Sequence, residues 1–103
     1  MVFKISWTSK ALQTYVDNMQ YLQTAWTEKE VNNFAIIVEK KLALLRKQPG
    51  IGSPRNKKQQ NIRHTLLHKR VALIYRINKM KGEIELLRFW NTYQNPGKLR
   101  RIK

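Results

Sequence analysis

The chain contains no cysteine, and that one absence removes a disulfide framework, thiolate metal sites and cysteine nucleophiles together. Acidic residues are scarce as well, with 6 Asp plus Glu against 21 Lys plus Arg for a net charge of +15. Long apolar runs are missing. The longest, Phe34 to Val38 and Val71 to Tyr75, fall far short of the ~20 residues that a membrane span requires. Residues 1 to 7 are too short for the core of a signal peptide. The expectation is a cytoplasmic protein with no membrane partner.

What remains is a folded, globular composition. Of 103 residues, 42% are hydrophobic, with 3 Trp, 4 Tyr and 3 Phe, well outside the disordered class. That length is one small domain, residues 1–103, and leaves no room for a second. A chain of this size buries roughly 60 to 70% of its unfolded surface, enough for a cooperative fold without staples.

The positive charge is uneven. Residues 1 to 45 hold five basic side chains against four acidic ones, whereas residues 46 to 103 hold sixteen against only Glu83 and Glu85. An even scatter would mean solubility alone. This asymmetry points the C-terminal half at a polyanion.

Hydrophobic periodicity orders the elements. Phe3, Ile5 and Trp7 alternate with Val2, Lys4 and Ser6, which predicts a short strand. Thr8 and Ser9 are N-cap candidates for a helix to about Ala25, striped by Ala11, Leu12, Tyr15, Val16, Met19 and Leu22. Thr27 with Glu30 three residues later forms a capping box, and Val31, Phe34, Ala35, Val38, Leu42 and Leu45 continue a second helix to near Gln48. The connection between them is very short, so the two helices should pack antiparallel as a hairpin.

Pro49 to Gln60 reads as a long basic loop. From Asn61 the period falls to two, giving strands over about 61–69, 70–77 and 83–90, the last two joined by a tight turn at Asn78 to Gly82. Asn95-Pro96-Gly97 argues against regular structure in the tail. The predicted order is β-α-α-β-β-β. This is an α+β domain with a two-helix antiparallel hairpin packed on one face of a mostly antiparallel four-stranded sheet. Val71, Leu73, Tyr75 and Ile77 share the helix-packed face. Arg70, Ala72, Ile74 and Arg76 share the other, where a ligand is expected.

Four segments in this order resemble the RelE/ParE superfamily of toxins from type II toxin-antitoxin systems. They are FKISWTSKALQTY (3–15), LLRKQPGIG (44–52), RHTLLHKRVALIYRI (63–77) and IELLRFWNTYQNPGKL (84–99), the last similar to a plasmid-stabilisation-like branch. The resemblance implies two helices on a curved sheet, a small antitoxin that wraps the toxin, and toxicity when the antitoxin is lost. RelE-like members cleave mRNA in the ribosomal A site. ParE-like members poison DNA gyrase and have no nuclease chemistry.

For metal-independent RNA cleavage a site needs a base for the ribose 2′-hydroxyl, cations around the phosphorane and an acid for the leaving oxygen. The resemblance implies Lys and Arg on the open sheet face and a Tyr or His near the C-terminus. On that basis Arg70, Arg88 and Tyr93 are the candidate catalytic residues, and Arg55, Lys57, Lys58, Arg63 and Arg76 the candidate nucleic-acid contacts. Position 72, often Arg in the family, is Ala here, with Arg70 on the same face as its substitute. Branch relatives tend to carry Arg where this chain has Tyr93. A tyrosine there acts in proton transfer only if cations lower its pKa, and it would equally stack on a base or pack on Trp90.

His64 and His68, four residues apart on one face of a predicted strand, stand roughly 13 Å apart and cannot share a metal ion. No metal or cofactor is expected. The leading expectation is therefore a ribosome-dependent mRNA endoribonuclease whose partners are a cognate antitoxin, the ribosome and mRNA. The alternatives are a gyrase inhibitor without nuclease activity and a plain basic RNA-binding domain.

Overall fold

A computed structural model of the chain describes residues 2–25, 27–68 and 71–91. Its elements are β1 (Lys4–Trp7), α1 (Ser9–Ala25), α2 (Glu28–Lys47), a single 3₁₀ turn (Pro49–Ile51), β2 (Ser53–Pro54), β3 (Ile62–His68), β4 (Val71–Asn78) and β5 (Glu83–Asn91). The sheet runs β1-β5-β4-β3-β2. Only the β1–β5 pair is parallel, with Lys4 opposite Glu83 and Trp7 opposite Leu86.

The class is the expected one, with one strand more than predicted. Ser53 pairs with His64 and Pro54 with Arg63, so the segment read as a plain loop adds a two-residue edge strand. A strand that short carries no periodicity, and its proline at the sheet edge gives up no ladder donor.

Local sequence explains the helices. Thr8 caps α1: its Oγ1 accepts from Ala11 N at 3.1 Å and donates to Leu86 O at 2.7 Å. The helix start is thereby tied to β5. Thr27 and Glu30 form the reciprocal capping box of α2, Thr27 Oγ1 accepting from Glu30 N at 3.3 Å and Glu30 Oε1 from Thr27 N at 3.2 Å. Both helices lie on one sheet face, α1 chiefly against β5 and α2 against β3. Between them and the sheet, Leu22, Phe34, Leu45, Val71, Leu73, Tyr75, Ile84 and Leu86 are fully buried.

Beyond Trp7 the edge of β5 has no β1 partner, and α1 takes its place. Thr14 Oγ1 accepts from Phe89 N at 2.9 Å, and Asn18 Nδ2 donates to Phe89 O at 3.1 Å. Two helix side chains thus satisfy the backbone of one strand residue, and an unpaired buried backbone group is avoided.

Two bulges reset which way side chains face. In β5 the partner of Ile74 is Arg88 while that of Tyr75 is Leu86, leaving Leu87 as the extra residue. Leu86 and Phe89 consequently both enter the core, and Arg88 and Trp90 turn to the other face. In β3, Leu66 faces Ala72 and His68 faces Val71, with Leu67 extra. His64, opposite Ile74, and His68, opposite the core residue Val71, therefore lie on different faces. The single face expected for these histidines is corrected by that bulge.

Candidate functional site

On the sheet face away from the helices, the polar segment after β2 folds back toward the strands. Arg55 N donates to Ile62 O at 2.9 Å. Asn56 Oδ1 accepts from Lys58 N at 2.9 Å and Gln59 N at 2.8 Å, closing a compact turn. Beneath the turn lies a pocket of about 250 Å³ lined by Lys10, Arg55, Gln59, Ile62, Ile74, Leu87 and Arg88. Its floor is apolar, with Ile74 only 3% exposed. Its rim is cationic.

Each cation arrives by a different route. Arg88 reaches this face through the β5 bulge, and its guanidinium carbon sits 4.2 Å from the centroid of the Trp90 ring. That cation–π contact fixes the plane of the group. Arg55 follows β2 directly. Lys10 sits in the first turn of α1, beside Leu87 and Arg88 because Thr8 ties the helix start to Leu86 and β1 runs parallel to β5.

Two rim donors are unpaired among the described residues. Arg55 Nη2 and Arg88 Nε are buried and make no hydrogen bond to a described residue. Burial also lowers the pKa of Arg55 from its ordinary value, although an arginine remains charged regardless. Among the described residues no carboxylate lines the pocket. Such a site suits an anion with several acceptor oxygens.

The other predicted residues fall into three groups. Lys57 and Lys58 are exposed and, with Gln59, Gln60, Asn61, Ile62 and Arg76, line a wider concavity of about 450 Å³ next to the pocket. Arg76 is on the expected face, but its Nε bonds Glu85 Oε1 at 2.5 Å. That contact holds the Glu85 carboxyl below its ordinary pKa, the hydrogen bond from Arg76 being the largest cause.

Arg63 lies on the opposite face, because its cross-strand partner is the core residue Tyr75. Its Nη1 donates to Gly52 O at 2.7 Å and Gly50 O at 3.3 Å. Arg63 is an anchor for the turn before β2, and the register separates it from Arg76 and Arg88. Arg70, Tyr93 and the basic tail residues Arg100, Arg101 and Lys103 lie outside the described residues.

Sequence reasoning missed Lys10, Gln59 and the apolar floor. A signal for the bulge was present: the core spacing in β5 widens from two, between Ile84 and Leu86, to three, between Leu86 and Phe89. Nothing local marks Lys10, which joins the pocket only through β1–β5 pairing.

No protein-family model matches the sequence, and no curated protein matches it. Solved structures do. The RelBE2 toxin-antitoxin complex from Mycobacterium tuberculosis is similar at a TM-score of 0.61 with 17% identity, covering 88% of this chain and 99% of that one. A YoeB/ParE toxin from Agrobacterium tumefaciens gives a TM-score of 0.62 at 13% identity, over 86% and 98%. A doubly substituted RelE toxin from E. coli in the free state gives 0.61 at 14% identity over 100% of both chains. Two helices packed on a mixed sheet place the chain in the α+β class of the RelE-like fold.

Proposed function

We propose that the chain is the toxin of a type II toxin-antitoxin system and that it acts as a RelE-like, ribosome-dependent mRNA endoribonuclease. The fold and the four-segment resemblance support the toxin role. One observation carries the nuclease reading: Lys10, Arg55 and Arg88 converge on one small pocket that no carboxylate lines among the described residues.

In metal-independent cleavage the ribose 2′-oxygen bonds to the adjacent phosphorus and the bond to the 5′-oxygen breaks. The products are a 2′,3′-cyclic phosphate and a 5′-hydroxyl. Negative charge grows on the non-bridging oxygens, and guanidinium groups placed beforehand stabilise it most where water is excluded. Arg55 and Arg88 fill that role with their unused donors. Lys10 is the lining residue with a proton to transfer, and it serves the leaving 5′-oxygen. Tyr93 takes the 2′-hydroxyl proton, with Arg70 as a further cation. Lys57, Lys58 and Arg76 hold the flanking phosphates. The antitoxin is small and carries an acidic, amphipathic segment, and its affinity falls as salt rises.

A ParE-like reading, binding to DNA gyrase without chemistry, is favoured by a different observation. No histidine, tyrosine or carboxylate lines the pocket among the described residues, so the 2′-hydroxyl base must come from elsewhere. Induction of the chain without its antitoxin, followed by RNA 5′-end mapping and a gyrase supercoiling assay on the same material, separates the two. New 5′-hydroxyl ends within codons, lost in Arg88→Ala, support the nuclease. Toxicity with no new ends and a block of supercoiling refutes it.

A further inference from the structure

Arg88 owes its face of the sheet to the bulge at Leu87, but a bulge does not choose a rotamer. An arginine side chain is long and loses considerable freedom when it is held in one place. No described residue accepts a hydrogen bond from the buried Nε of Arg88. A ring supplies the contact instead, with the guanidinium carbon 4.2 Å from the centroid of Trp90.

Trp90 follows Arg88 by two residues in β5 and so lies on the same side of the strand. It is only 3% exposed, although this is the face away from the helices. Room for its ring comes from the neighbouring strand. The residue directly opposite Trp90 is Ala72, and the one opposite Arg88 is Ile74. Directly opposed Cβ atoms stand only about 4.5 to 5.5 Å apart, so a longer side chain at position 72 would compete with the indole for the same space. Ala72, itself 3% exposed, puts a single methyl group there.

A guanidinium carries its N–H bonds in its own plane. A ring over one face leaves that edge free, whereas a carboxylate partner would occupy it. Stacking therefore fixes the group without engaging a donor. We infer that Trp90 is a positioning residue for the pocket: its indole holds the Arg88 guanidinium in place with the N–H edge free for an anion, and the small side chain of Ala72 admits the indole. The inference rests on the anion-binding reading of the pocket and adds to it what preorganises Arg88.

The test uses the full chain with inorganic phosphate as the probe. The proton on Arg88 Nε is followed by NMR in isotope-labelled protein, its peak assigned by its disappearance in Arg88→Lys. In the wild type the ring current of the indole should displace this peak upfield, and phosphate should shift it. Trp90→Phe keeps an aromatic face and should keep the displacement, with phosphate affinity within about threefold of wild type. Trp90→Leu keeps apolar bulk without a ring. There the displacement should vanish and phosphate should bind about three- to tenfold more weakly, the range for one side chain that must be immobilised on binding. Ala72→Val crowds the indole and should reduce displacement and affinity in the same direction.

Urea midpoints are measured on the same variants. A residue that only packs would lower the midpoint in both Trp90 variants and leave the peak and the phosphate affinity of the folded protein as in wild type, which overturns the inference. An Ala72→Val protein identical to wild type overturns the part assigned to Ala72. Should Trp90→Leu fail to fold, the wild type decides, since an undisplaced Arg88 peak there refutes the stacking outright. Phosphate binding with an undisplaced peak refutes the inference and leaves the anion site standing. A displacement that depends on Trp90 in a chain that binds no phosphate supports the positioning and refutes the anion site.

Discussion

Replacement of Gly52 by alanine tests how the site is held from behind. Its backbone, at φ −76° and ψ 162°, is one that any residue adopts, so the need for glycine is a matter of space. A Cβ there would lie 2.5 Å from Tyr75 Oη and 2.7 Å from His64 O. Tyr75 is completely buried; its hydroxyl donates to Pro49 O at 2.7 Å and accepts from Gly52 N at 3.0 Å. Moving the phenol aside breaks both bonds, the one from Gly52 N in a buried position. Each orphaned group costs about 1 to 3 kcal/mol.

The second clash is with backbone in the middle of the sheet, so the turn rather than β3 must move, which strains the Ser53–His64 pairing. Against this, alanine restricts the unfolded chain and returns about 0.4 to 1 kcal/mol. The net expected loss is about 3 kcal/mol, a large part of the 5 to 15 kcal/mol of a typical domain. In urea this shifts the midpoint down by about 1.5 M at an unchanged slope near 2 kcal/mol per M. Tyr75→Phe orphans the same two groups without a clash, so the double variant should lose less than the sum of the two. A Gly52→Ala midpoint within 0.3 M of wild type (about 0.6 kcal/mol at that slope) or strictly additive losses would refute the reasoning.

Thr14→Val keeps the shape of the side chain but leaves Phe89 N–H without its acceptor in a buried position, and should cost about 1 to 3 kcal/mol in the same urea experiment. Thr27→Ala removes one half of the α2 capping box and should cost about 1 kcal/mol; no change in midpoint would show the cap to be idle. Glu85 has a folded pKa below its unfolded value, so its pairing with Arg76 stabilises the fold above the ordinary carboxylate range and the contribution disappears as pH falls through the lowered folded pKa. Arg76 is half in solvent, which keeps the effect small. Glu85→Gln should flatten the acid limb of the stability profile and leave the neutral plateau almost unmoved, whereas an unaltered acid limb would show that the pair contributes nothing.

The parts of this fold legible in the sequence are those whose cause is local. The capping box at Thr27 and Glu30, the helical stripes, the tight turn at Gly82 and the alternation of Val71, Leu73, Tyr75 and Ile77 are each decided within a few residues. The site is decided by pairing between distant residues. Strict alternation from Ile84 would send Arg88 into the core; the bulge at Leu87, answering the register of β4, turns it outward. Arg63 looked like a phosphate contact because it resembles a basic position near the start of the strand pair in RelE/ParE toxins. Cross-strand pairing with Tyr75 instead places it under the turn at Gly50 and Gly52. Lys10 was invisible for the same reason, since only the third dimension brings residue 10 beside residue 88.

That juxtaposition also bears on the order of events during synthesis. The pocket takes one cation from the first helical turn and another from the last described strand. The parallel partner of β1 is then nearly 80 positions away in the chain, Lys4 facing Glu83. A ribosome adding about 5 to 20 residues per second makes the first half seconds before the last. In that interval α1 has no β5 to cover it, and neither Thr14 nor Asn18 has a Phe89 to bind. The pocket forms late, when its most distant pieces meet, so an interrupted nascent chain does not yet have it. Whatever this pocket binds, it binds only once synthesis of the chain is almost finished.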